Sequence, residues 1–226
     1  MQGSPEVARE LFAPIAPNYE RWARVLSLGQ DARWRHRMIE ASRLAEGSLV
    51  LDVAAGTGSI TRLLEARGCR VVPVDQSPEM VSKLRNASLS PVIATAESLP
   101  FPDESFDGVT FGYLLRYVDD LPGCLGELTR VLRSGGSMGM VEFGLPTGLW
   151  RRAWDLYAGG ILPLAGVVIG AGWGEVGRFL HSSIIEFGAM WEPETLENVW
   201  RDSGMTEVVS QAMSLGGGLV MWGRKT

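Results

Sequence analysis

The apolar positions of this chain change period near residue 46. Up to about Ala45 they recur at helical spacing. "SPEVARELFAPI" (4–15) opens with a Ser-Pro-Glu start suited to a helix N-terminus. "DARWRHRMIEASRLA" (31–45) predicts a second helix, with Trp34, Met38, Ile39 and Leu44 on one face and Asp31 as its N-cap. From there short apolar runs alternate with helical segments. "GSLVLDVA" (47–54) reads as a strand and "GSITRLLEARG" (58–68) as a helix closed by glycine. "CRVVPVDQ" is a second strand, followed by "SPEMVSKLRNAS" (77–88), a helix capped by Ser77 with Pro78 in its first turn. "PVIATAESLPF" holds a third strand and a loop, "FDGVTFGY" a fourth strand, "LPGCLGELTRVLRSGG" (121–136) a helix, and "SMGMVEFG" a fifth strand.

Strands alternating with helices imply an α/β fold with a doubly wound, mostly parallel sheet. The regularity breaks over 145–191, a segment rich in Gly, Trp and Leu that reads as helices inserted after the fifth strand. "EPETLENVWRDSG" (192–204) resumes as a helix, and "TEVVSQAMSLGGGLVMWGRK" reads as two closing antiparallel strands, for seven in all. One domain over 1–226 accounts for the pattern, with an N-terminal helical cap over 1–45.

Composition removes several function classes. Hydrophobic residues make up 46% of 226, enough for a sizeable core. The net charge of −5 leaves no basic footprint for nucleic acid. Cys69, Cys124, His36 and His181 form no metal-ligand spacing, so no metal is expected, and two thiols fit a reducing, cytoplasmic setting. The N-terminus lacks the positive-then-apolar pattern of a signal peptide. The apolar stretch 157–173 is short for a bilayer span and carries Pro163 and five glycines, which points to a buried or interfacial segment.

The chemistry gathers at strand ends, where open α/β sheets bind ligands. "VLDVAAGTGSI" (50–60) ends a strand on Asp52 and turns through Gly56 and Gly58 into a helix N-terminus. A dinucleotide fits poorly, because a carboxylate beside a pyrophosphate is repelled and Ile60 and Thr61 occupy the region of the third fingerprint glycine. S-adenosylmethionine carries an ammonium and a sulfonium and no phosphate, so Asp52 suits it. Asp75 ends the second strand, where an acid accepts ribose hydroxyls. The plainer readings are a loop-bonding carboxylate for Asp52 and a helix cap for Asp75.

Five further stretches carry a resemblance. "IAPNYERWARVLSLGQDARWR" (15–35), "AESLPFPDESFD" (96–107), "LRYVDD" (115–120), "RVLRSGGSMGMVEFGLP" (130–146) and "RFLHSSI" (178–184) occur in the order of the ubiquinone/menaquinone biosynthesis C-methyltransferase family, within the class I S-adenosylmethionine-dependent methyltransferases, which the chain resembles over nearly its whole length. The resemblance implies that Tyr19 and Arg35 close over the methionyl end of the cofactor. Asp52, Ala54, Gly56 and Gly58 would form its floor, Asp75, Gln76 and Met80 would surround ribose and adenine, Ala96 and Glu97 would flank the adenine edge, and Gly112 would pass under the methionine portion. The chain departs from the family at Thr95, Tyr117, Ala23 and Glu20, where the family has an acid, two asparagines and an aspartate respectively.

The implied reaction puts a methyl group on a ring carbon of a demethylated quinol. Such an acceptor must become a phenolate first. Arg116 is the natural stabiliser of that charge, unless it merely pairs with Asp119, and Tyr19, Tyr117 and His181 are candidate proton handlers. The apolar insert would cover an isoprenoid acceptor and touch a membrane surface peripherally. A homodimer is a further expectation. Methyl transfer to oxygen or nitrogen of another small hydrophobic acceptor, and a non-catalytic cofactor-binding subunit, stay open at this point.

Overall fold

A computed structural model describes residues 10–84 and 90–226. Seven strands lie in one sheet, in the order β3-β2-β1-β4-β5-β7-β6. They are β1 (Leu49–Val53), β2 (Arg70–Asp75), β3 (Val92–Ile93), β4 (Phe106–Gly112), β5 (Leu132–Phe143), β6 (Met205–Met213) and β7 (Gly218–Lys225). The first five run parallel, and β7 is antiparallel to both β5 and β6. β1 is covered on both faces, which is why "LVLDV" reads as an unbroken apolar run interrupted only by Asp52.

The sheet packs on two apolar layers. On one face lie Met38 and Ile39 of α2 (Gln30–Ser42) and Leu64 of α3 (Ser59–Glu65). On the other lie Leu125 and Leu128 of α5 (Leu121–Val131) and Trp200 of α9 (Pro193–Asp202), against Phe111 of β4. Helix α1 (Tyr19–Leu26) leaves every residue at least partly accessible and lies over the carboxyl ends of the strands, where the half-buried Tyr19 and Leu26 line the central cavity.

Several boundaries differ from the sequence pattern. Asp31 caps nothing: Gly29 is the N-cap of α2, in left-handed backbone, and Asp31 sits in the first turn. The start expected at Ser4-Pro5-Glu6 lies outside the described residues; residues 10–12 are helical and a 3-10 helix follows over Ala13–Asn18. The helix after β2, α4, is the single turn Pro78–Val81, capped as expected by Ser77, whose hydroxyl accepts from the Met80 amide at 3.2 Å. The rest of its expected span reaches residues 85–88, outside the described set. Helix α5 stops at Val131, and Leu132 pairs with Phe106 as the start of β5.

The insert is helical, as its break in pattern suggests. It comprises α6 (Gly148–Leu156), a π-helical turn (Tyr157–Ile161), α7 (Leu162–Ile169) and α8 (Trp173–Met190). The apolar stretch 157–173 is not a buried segment: within it only Ala158, Gly166 and Trp173 are buried. Among the described residues no helix is long and apolar enough to cross a membrane.

Candidate active site

A cavity of about 400 Å³ opens at the carboxyl ends of β1, β2 and β4. That is the switch point of the strand order, where connections leave to opposite sides and a crevice must form. The cap and the insert roof it. Of the expected site residues, Tyr19, Arg35, Ala54, Gly56, Asp75 and Gln76 line it, and so do Met80, Ala96, Glu97, Gly112, Arg116 and Tyr117.

Asp75 is nearly buried and holds the glycine turn. Its Oδ2 accepts from the Gly56 amide at 2.8 Å and its Oδ1 from the Ser77 amide at 2.9 Å. Burial pushes its carboxyl above the usual range, and the two amides pull it back. Each oxygen retains a lone pair for a ribose hydroxyl. Ala54 and Tyr113, at the ends of β1 and β4, adopt φ of 53° and 58°. Left-handed backbone at two non-glycine residues of one cavity wall is a cost concentrated at a site.

Three expected residues lie elsewhere. Asp52 is fully buried beneath the turn and does not reach the cavity. Its oxygens accept from Thr61 Oγ1 at 2.6 Å and Thr110 Oγ1 at 3.1 Å, so it ties β1 to α3 and β4. Burial raises its pKa to about 6 against those hydroxyls. Asp52, expected to meet the cofactor's ammonium, instead lies beneath the floor of the cavity. Gly58 is structural too: at φ 85° it caps α3, and a Cβ there would lie 2.3 Å from Leu84 Cδ2. His181 stacks on Trp154, with ring centroids 5.5 Å apart, and its buried Nε2 has no hydrogen-bond partner. Trp154 lines the cavity and His181, expected as a proton handler, does not.

Arg116 does not pair with Asp119. It is buried against Glu142 of β5, with Nε donating to Oε1 at 2.9 Å and Nη1 donating to Ser183 Oγ of α8 at 3.0 Å. Its guanidinium lies 5.0 Å from the ring centre of Tyr117 and 5.1 Å from that of Phe143. Burial disfavours its charge, but Glu142 together with the Tyr117 and Tyr113 phenols outweighs this and raises its pKa. The Tyr117 hydroxyl is buried with no hydrogen-bond partner, and burial pushes its pKa to about 12 despite Arg116. The ring stacks on Phe179 and meets Phe12 edge-on. Glu142 and Phe143 fell within one matching stretch, 130–146, and Ser183 within another, 178–184, but none of the three carried a site role in the sequence.

Two further residues of the cavity lining, Asp31 and Tyr113, had no site role in the sequence pattern. Asp31 Oδ1 accepts from Arg35 Nε at 2.9 Å and from the Tyr113 hydroxyl. Arg35 lies over the Tyr113 ring, 5.5 Å from its centre. Tyr19 stacks on Trp173 nearby, and burial raises its phenol pKa.

The model of the ubiE/COQ5 methyltransferase family matches residues 2–225. The chain belongs to this family. It is 35% identical over 205 residues to the ubiquinone/menaquinone biosynthesis C-methyltransferase UbiE of Geobacter sulfurreducens, covering 84% of this chain and 78% of that protein. It is 34% identical over 205 residues to the demethylmenaquinone methyltransferase of Thermus thermophilus, covering 87% and 91%. Its fold is that of a SAM-dependent methyltransferase from Thermotoga maritima, with a TM-score of 0.65 at 21% identity, covering 96% of this chain and 99% of that one. This chain is thus an S-adenosylmethionine-dependent methyltransferase, and its cavity residues fit that cofactor: an acid, Asp75, beside a glycine turn, and a buried guanidinium, Arg35, in the lining of the same cavity. Among the described residues no cluster of three or more His, Cys, Asp or Glu side chains is placed to hold a metal ion.

Proposed function

We propose that this methyltransferase modifies a ring carbon of a demethylated isoprenoid quinol, of the menaquinone or ubiquinone type. The observation that carries this reading is a buried cation, Arg116, held by Glu142 and Ser183 in an aromatic wall of the same cavity that Asp75 borders. The printed names of the relatives support the quinone acceptor.

When bound, S-adenosylmethionine supplies a methyl group on a positively charged sulfur. The rest is the work of the chain. Asp75, Gln76 and Met80 hold the ribose and adenine, with Ala96 and Glu97 at the adenine edge. Ala54, Gly56 and Gly112 let backbone pass close to the ligand. Arg116 stabilises the phenolate left when the quinol gives up a hydroxyl proton to solvent, which makes a ring carbon electron-rich, and the ring proton displaced by the methyl group leaves to solvent as well. Its guanidinium cannot act as a base. Tyr117, with its pKa raised to about 12, is a neutral phenol near pH 7 and donates a hydrogen bond to the acceptor oxygen. Tyr19 has the same burial-raised character and closes the roof. Phe12, Trp154, Trp173 and Leu180 line the cavity and keep water from the reacting centre.

The same reading includes peripheral contact with a membrane surface, where an isoprenoid acceptor resides. The experiment is product analysis with isotopically labelled cofactor and a short-chain demethylquinone, reduced and oxidised. A labelled methyl on the ring carbon, from the reduced form alone, is the expected result. A label on oxygen or nitrogen would replace the quinol reading with that of another acceptor.

A further inference from the structure

We propose that Gln30 binds the second oxygen of the acceptor, across the ring from the phenolate at Arg116, and so fixes which way round the quinol lies. The inference deepens the quinol reading of the cavity and rests on it. A ring held by one oxygen can still turn about that contact. Methyl transfer needs the reacting carbon in line with the methyl group and the sulfur, so a second contact far from the first has the most leverage.

One wall of the cavity offers the right order of groups. The Arg116 guanidinium lies 5.1 Å from the ring centre of Phe143. Phe143 meets Trp34 edge-on, with ring centroids 6.0 Å apart. Trp34 Nε1 donates to Ser214 Oγ at 2.8 Å, and Ser214 Oγ donates to Gln30 Oε1 at 2.7 Å. All five residues line the cavity. A cation stands at the inner end, two aromatic rings follow, and an amide stands at the outer end. A flat ring with an oxygen at either end matches that order.

The network also decides what Gln30 presents. An indole N–H only donates, so Ser214 gives Trp34 a lone pair and gives its own proton to the Gln30 carbonyl. The amide N–H groups of Gln30 are left as donors, which a quinol oxygen can accept. The turn that carries Ser214 is strained. Ser214 and Leu215 adopt φ of 49° and 60°, where hairpin turns favour Gly or Asn. A Cβ on Gly218 would lie 2.5 Å from Trp34 Cε2, so glycine lets the start of β7 close on the indole. Strain held beside a cavity goes with function. The outer end is also the mouth: Leu28, two residues before Gln30, lines the cavity and is 74% exposed. In a menaquinone-type quinol the reacting carbon adjoins the phenolate oxygen, and the tail adjoins the second oxygen. With the phenolate at Arg116, the second oxygen and the tail both point to the mouth.

Two ring ligands isolate the contact: 1,4-dihydroxynaphthalene, kept reduced, and 1-naphthol, which lacks the second oxygen. Each is titrated calorimetrically into the full chain saturated with S-adenosylhomocysteine, as wild type and as Gln30→Leu. We expect the wild type to prefer the diol about three- to tenfold, the order of one net hydrogen bond, and the variant to bind both rings alike. Affinities of the variant for 1-naphthol and for S-adenosylhomocysteine should stay within about twofold of wild type, which also shows an intact cavity. Equal losses for both rings would make Gln30 a packing residue and overturn the proposal, and so would an unchanged preference for the diol. A loss of S-adenosylhomocysteine affinity in the variant would place Gln30 against the cofactor instead. A wild-type chain that binds S-adenosylhomocysteine and neither ring would sink the quinol reading itself.

Discussion

Two buried carboxylates, Glu142 and Asp52, show how differently one side chain behaves with and without a counter-charge. Glu142 faces Arg116 and both are essentially inaccessible. Removing one partner strands the other in a low-dielectric interior, a cost of about 3–5 kcal/mol. Arg116→Ala should therefore lose both turnover and that much stability in urea unfolding. Arg116→Met combined with Glu142→Leu should regain most of the stability and none of the turnover. Asp52 has no such paired partner: the Thr61 and Thr110 hydroxyls, the Thr61 amide and the charge of Arg35 offset its burial only in part. Its pKa rises to about 6 on folding, from about 3.9 unfolded, so the unfolded state gives up its proton first. Its favourable contribution is full below about pH 4 and is lost as pH rises through about 6. Relative to Asp52→Asn, the wild type should lose about 2–3 kcal/mol across that window and stay level above it. A flat difference would place Asp52 in contact with a cation or water.

The insert is decided by how closely its elements approach. α7 packs on α8 through glycines. A Cβ on Gly166 would lie 2.4 Å from the Trp173 carbonyl oxygen. Helix propensity favours Gly→Ala by about 1 kcal/mol. A backbone atom at that distance cannot move aside without shifting α8, so the clash wins. Because Trp173, Val176 and Leu180 of α8 line the cavity, Gly166→Ala should lower the melting temperature and weaken binding of a hydrophobic acceptor. S-adenosylhomocysteine affinity should change less, since Asp75 and the glycine turn lie at the sheet. Unchanged melting would show that the contact is looser than the structure has it.

At the scale of the molecule, the exposed apolar side chains are concentrated. Leu28, Leu149, Leu156, Leu164 and Val168 are each more than two-thirds exposed. They belong to the end of the cap and to α6 and α7. The Tyr157 hydroxyl bonds the Leu26 carbonyl and joins these segments. Leu28 also lines the cavity, as do Trp154, Tyr157 and Leu162 of the insert, so the greasy surface runs into the site. Arg24 of α1 and Arg152 of α6 are exposed as well. Such a surface suits an anionic lipid interface. The chain should co-float with anionic vesicles. Leu164→Asp with Val168→Asp should abolish flotation and keep S-adenosylhomocysteine affinity. A change from dimer to monomer by light scattering, without an effect on flotation, would identify the patch as a contact between two copies instead.

The order of strands and helices, the closing antiparallel pair and the glycine turn before α3 were legible in the chain itself. Each depends on local periodicity, turn residues and caps, which neighbours in sequence set. Asp75 and Arg116 could be read because strand ends in such a sheet meet at one crevice. Partners could not be read. Asp52 went under the floor, because Thr61 and Thr110 take both its oxygens. Arg116 found Glu142 rather than its neighbour Asp119, because β4 and β5 are adjacent strands and their ends meet. Asp31 left its expected cap for Arg35 and Tyr113, because α2 lies across the end of β4. Which charges face each other depends on how elements stack, and that is a property of the packed tertiary structure alone.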